Sequence, residues 1–101
     1  MTSSEEALRL LEGWKVKKTA LHLEFSCPGE NSVSTECARI LDTGLGWATI
    51  IVGEAVLRDL HFDPVKGVEI TETVPQRFRS RVIKVSSIDG EVAVLGELFK
   101  T

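Results

Sequence analysis

The alternation of Leu21, Leu23, Phe25 and Cys27 with His22, Glu24 and Ser26 constrains this chain more than any other feature. Such a run has one apolar side and one polar side, so it belongs to a strand whose dry face is covered. The pattern returns after the turn residues Pro28-Gly29-Glu30-Asn31-Ser32, with Val33, Thr35 and Cys37 on the inward side. A β-branched run spans residues 47–52 between Gly46 and Gly53, and residues 68–74 alternate again. Residues 78–87 and 91–99 flank Asp89-Gly90, the pairing favoured at a two-residue hairpin turn. That turn would set Val85 opposite Val94, Ile83 opposite Gly96 and Arg81 opposite Leu98. Residues 53–64 fit either a short helical turn or extended chain before Asp63-Pro64.

One helix stands apart from these six strands. Ser3 and Glu6 have the spacing of a capping box, Ala7, Leu10, Leu11 and Trp14 recur at helical intervals, and Gly13 offers a stop. A helix this short is unstable alone and must dock on something. A chain of 101 residues supports one core. The expected architecture is therefore a single domain, mainly β: a six-stranded antiparallel barrel over residues 14–101 with a short N-terminal helix, residues 1–13, packed on it.

Charge and composition narrow the function. Net charge is −3, so nucleic-acid binding would need a local basic patch and is not expected. No apolar run approaches the length of a membrane span, and the first residues lack the basic-then-apolar order of a secretory signal. A cytoplasmic protein is expected. The hairpin at residues 28–32 would separate Cys27 and Cys37 by roughly 13 Å along the strands at ~3.3 Å per residue, beyond disulfide reach. Both are expected as buried free thiols.

Two families share motifs with the chain. Ile40-Leu41-Asp42-Thr43-Gly44, with Val94-Leu95-Gly96, resembles the signature of retroviral-type aspartic proteases. That resemblance implies a homodimer in which Asp42 of each subunit, held by Thr43 and Gly44, shares a proton with its twin. Leu45-Gly46 replaces the small residue and hydroxyl that usually follow, and five residues remain after Gly96. The alternative is that Asp-Thr-Gly makes an ordinary tight bend.

Over residues 17–99 the strand order resembles a PilZ domain. Ala38-Arg39-Ile40-Leu41-Asp42 before Gly46-Trp47-Ala48 is similar to its Asp turn and Gly-led strand, and residues 81–99 are similar to its closing hairpin. The resemblance implies a small barrel of the kind that often binds cyclic di-GMP. The RxxxR motif is absent, however, with Lys15 and Lys18 in that region, and Gly44 stands where the DxSxxG turn has Ser. Weak or no binding of cyclic di-GMP is expected.

Arg77, Arg79 and Arg81 alternate, so an extended strand would present them on one side as a contact patch or as a charged edge. Asp59, His61 and Asp63 also alternate, but no second histidine lies near, and no metal is expected. His22 reads as a surface residue. The resulting expectation is a non-enzymatic binding or adaptor module for a protein partner, without cofactor. Its candidate contacts are Arg77, Arg79, Arg81, Lys15 and Lys18, and self-association is left open.

Overall fold

The computed structural model describes residues 3–29, 32–53 and 55–98. It contains one helix, α1 (Ser3–Lys17), and seven strands: β1 (Leu21–Ser26), β2 (Val33–Gly44), β3 (Trp47–Val52), β4 (Ala55–His61), β5 (Val68–Ile70), β6 (Ile83–Ser86) and β7 (Val92–Gly96). Glu30, Asn31 and Phe99, expected in a turn and at a strand end, lie outside the described residues.

The helix runs one turn beyond the expected stop at Gly13. Extension lets Ala7, Leu11 and Trp14, spaced i, i+4 and i+7, form one buried stripe, with Leu11 only 1% exposed. Gly13 has nothing within 4 Å of where a Cβ would sit, so it fills an open helical position and stops nothing. Termination comes at Lys18, which takes a left-handed φ of 53°. There Thr19 N donates to Trp14 O (3.1 Å) and Lys18 N to Lys15 O (3.3 Å), the two bonds of a Schellman cap.

The strands form one antiparallel sheet in the order β4-β3-β2-β1-β7-β6-β5. This corrects the expected six-stranded barrel: there are seven strands, and the sheet is open, with β4 and β5 at its edges. The undecided segment after Gly53 supplies the extra strand, because antiparallel pairing with β3 takes up its backbone groups. The sheet curls far enough for Phe62, just past β4, to bridge Ser87, just past β6. Leu21, Leu23, Ile50, Leu60, Ile83 and Leu95 point into the enclosed side and are essentially inaccessible. The stripe of α1, packed against β2 and β5, covers them.

Three bulges break the strand registers, at Thr35–Ala38 in β2, at Ile40–Asp42 in β2 and at residues 56–58 in β4. The first alters the thiols. Phe25 pairs with Val33 and Leu23 with Thr35, but Leu21 pairs with Ala38, so Cys37 is turned outward. Both cysteines are free, yet Cys37 is exposed and Cys27 half-buried, where its thiol donates to Glu91 Oε2 at 3.4 Å. The expectation of buried thiols is thus corrected.

The last hairpin differs by one residue. Ser87 N donates to Glu91 O (2.7 Å) and Gly90 N to Ser87 O (3.1 Å), with Gly90 at φ 88°. The loop therefore has three residues, Ile88-Asp89-Gly90, and closes with a left-handed glycine instead of a two-residue turn. Val85 consequently pairs with Ala93 and Ile83 with Leu95, which puts Ala93 and Leu95 inward.

Strands expected over residues 68–74 and 78–87 are shorter. Thr71 N still donates to Val82 O (3.1 Å), but Val82 N returns its bond to the Thr71 hydroxyl (3.1 Å) instead of the carbonyl, that hydroxyl donates to Thr73 O (2.8 Å), and Pro75 has no N–H to offer. Residues 71–82 leave the sheet and fold back over the end of β7, where Phe78 bridges Leu98. A Cβ on Gly96 would lie 2.6 Å from the Phe78 ring and 3.0 Å from Val82, so only glycine permits this cover.

Leu11→Ala is expected to lower unfolding free energy by about 2–5 kcal/mol, whereas Val16→Ala, at a 79% exposed site, changes it by less than about 0.5 kcal/mol. Urea titration of both variants checks whether the helix stripe is part of the core. Gly96→Ala is expected to destabilise by about 1–3 kcal/mol, and combining it with Phe78→Ala to recover part of that loss. Denaturation midpoints of the single and double variants measure the coupling.

Candidate functional site

Asp42 was expected in a tight bend; it lies inside β2 instead, and the chain turns at Leu45-Gly46. The bulge at Ile40–Asp42 leaves both Leu41 and Asp42 exposed. Lys15, in the last turn of α1, donates to Asp42 Oδ1 at 2.7 Å, and Thr43 N donates to the same oxygen at 2.9 Å. These two donors hold the Asp42 carboxyl below its ordinary value of 3.8, the lysine hydrogen bond being the larger cause. Thr43 is turned inward, its hydroxyl donating to Trp47 O at 3.1 Å, and the Trp47 indole lies directly over Gly44. Asp42, Thr43 and Gly44 thus serve, respectively, an ion pair, a strand-to-strand hydrogen bond and a packing contact.

The arginine trio does not share a strand face. Arg77 occupies a turn in which Phe78 N donates to Pro75 O (3.1 Å), with a left-handed φ of 82°. Arg79 N donates to Glu97 O (2.7 Å), and its guanidinium stands 4.0 Å from the Glu97 carboxylate. Arg81 reaches Glu6 of α1, Nη1 to Oε2 at 2.7 Å. Two of the three charges therefore meet carboxylates of the protein's own surface. The alternation that suggested a patch would align these side chains only on extended backbone, which residues 71–82 lack.

Lys15 and Lys18 are brought together. With Arg39, Ile40, Leu41 and Ile51 they line a groove of about 260 Å³ between the end of α1 and the bulged part of β2. Arg39 and Ile51 are cross-strand partners, so one strand pair supplies both a cation and an aliphatic wall. Arg39 Nη2 also donates to Gly53 O at 3.1 Å. The sequence carried no signal for Arg39 as a site residue, because its proximity to Lys18 depends on where α1 ends. Among these cations Lys15 is neutralised by Asp42 and Arg39 is anchored to a backbone carbonyl. The Lys18 ammonium forms no hydrogen bond or ion pair among the described residues.

The remaining polar candidates are dispersed. Asp59 accepts a hydrogen bond from Thr49. Asp63 accepts from Val65 N (2.8 Å) and Lys66 N (2.9 Å); these bonds, Lys66 first, lower its carboxyl pKa. Among the described residues no three potential metal ligands gather. His22 is half-buried, beside Glu24 (3.2 Å) and edge-on to the Phe78 ring, with Nδ1 buried and unpartnered. No helix among the described residues is long and apolar enough to cross a membrane.

Comparison with known proteins adds no relative: no family model, no curated protein and no solved structure matches the chain.

Asp42 and Asp63 both carry folded-state pKa values below their ordinary ones. Each therefore contributes stability that is complete above the unfolded aspartate value and fades as pH falls through the depressed folded value. The urea midpoint is expected to fall between about pH 5 and pH 2, and the fall to be shallower in Asp42→Asn and shallower again in Asp42→Asn with Asp63→Asn. Midpoints across that range check the sign.

Proposed function

We propose that this protein is a non-enzymatic binding module that takes an acidic segment of a protein partner into the groove between α1 and β2. The observation that carries this reading is the convergence of Lys15, Lys18 and Arg39 around the aliphatic residues Ile40, Leu41 and Ile51. A cationic rim over an aliphatic floor complements a carboxylate next to an aliphatic side chain. The volume, about 260 Å³, falls below the roughly 300–1,000 Å³ of sites that enclose a small ligand. It suits one or two side chains presented by another surface.

Nucleic acid is the poorer complement. Net charge is −3, the lining residue Lys15 is already paired with Asp42, and among the described residues no aromatic side chain lines the groove for bases to stack on. The sequence motifs that resemble those of PilZ domains favour a binding role, but the lysines at positions 15 and 18 lack the bidentate grip that arginines give a phosphate. In this reading Asp42 is a charge partner that positions Lys15 and hydrolyses nothing.

The test is an amide chemical-shift titration with the acetylated, amidated hexapeptide Ser-Glu-Leu-Glu-Leu-Ser. Shifts are expected at Lys18, Arg39, Leu41 and Ile51, and Arg39→Glu is expected to weaken binding about thirtyfold, the scale of reversing one charge at contact distance in water. Cyclic di-GMP in a parallel titration is expected to leave these amides in place. Absence of peptide shifts, or shifts confined to another surface, would remove the reading; so would peptide hydrolysis at acid pH that disappears in Asp42→Asn.

A further inference from the structure

We infer that Lys18 is the recognition residue of this groove, its ammonium held available for a carboxylate of the partner; the inference rests on the binding-module reading above. Three independent observations converge on it. The first is backbone conformation. Lys18 is the left-handed residue of the Schellman cap, at φ 53°. Glycine is the usual occupant of that position because a Cβ there is strained.

The second observation is that packing offers no compensation. Lys18 is exposed, so its side chain adds nothing to the core that would offset the strained backbone. Residues held in such conformations cluster at active sites, ligand clamps and switch regions.

The third is electrostatic. Lys15 is bound to Asp42 and Arg39 to Gly53 O, whereas the Lys18 ammonium meets no acceptor among the described residues. An incoming carboxylate can therefore bind the Lys18 ammonium without displacing a contact to any described residue. Arg77 repeats the combination of a basic side chain and a left-handed backbone, at φ 82°. Placement beside Ile40, Leu41 and Ile51 distinguishes Lys18, because it joins the charge to an aliphatic floor. The partner chemistry that fits is an acidic peptide segment with an aliphatic residue next to its carboxylate.

Three variants separate recognition from capping. Each is followed by thermal unfolding and by amide titration with Ser-Glu-Leu-Glu-Leu-Ser. Lys18→Gly is expected to raise the unfolding midpoint and weaken peptide binding about fivefold. Lys18→Gln retains a side chain on the left-handed backbone, so it is expected to weaken binding equally while leaving the midpoint in place. Lys18→Arg keeps the charge and is expected to bind within about twofold of the wild type. If Lys18→Gly and Lys18→Gln bind as the wild type does while Arg39→Glu still weakens binding, Lys18 is only a cap residue; the inference fails and the groove reading stands. If the wild type itself shows no peptide shift, both fail. Tighter binding of a short single-stranded oligothymidine, lost in Lys18→Gln, would assign Lys18 to nucleic-acid phosphate and overturn the protein-partner assignment.

Discussion

An open, curled sheet leaves the mouth of its apolar side uncovered, and α1 supplies the cover. Its stripe of Ala7, Leu11 and Trp14 joins the core contributed by the inward residues of all the central strands. Partly exposed ion pairs bind two points along the helix, Glu6 to Arg81 and Lys15 to Asp42. Exposed pairs of this kind contribute little stability; their effect is to orient a helix that apolar burial has already docked. The groove is a by-product of that docking, since its lysine wall is the end of α1 and its floor belongs to the strands on which that end rests.

Much of the fold was legible because period-two alternation reports directly on burial. Leu21, Leu23 and Phe25 face inward as read, and β3 occupies residues 47–52 as read. Errors arose where a single residue changes phase. Gly13 resembled a stop, but a glycine can stand inside a helix when the next residue, Trp14, gains burial from the extra turn. Asp89-Gly90 resembled a two-residue turn, but Ile88 joins the loop, and that one residue exchanges which side chains of β7 face inward. Bulges are the least visible of these changes, because the extra residue has no characteristic identity.

The candidate site was legible in part. Lys15 and Lys18 were named from a position within a family-like pattern, and the structure places both at one groove. Arg77, Arg79 and Arg81 were named from spacing that presumes extended backbone, and the Thr71 hydroxyl and Pro75 interrupt that backbone before they are reached. Arg39 carries no such signal, because its place in the groove depends on residues about twenty positions earlier in the chain that line it too. Asp42 stands out in the sequence by its motif, whereas its surroundings come from elsewhere in the chain: its carboxylate accepts from Lys15 of α1 and from Thr43 N, and these donors lower its pKa.

The two interruptions in β2 also bear on how this sheet finds its pairing. A regular strand of this length can slide by two residues along its neighbour and still present the same side chains to the interior. In β2 the apolar sequence changes phase once against β1 and again against β3. Any slide would set an irregular segment against a regular one on both flanks and bury residues such as Glu36 or Asp42. The strand therefore behaves as a key with two notches, admitted by its neighbours in a single position.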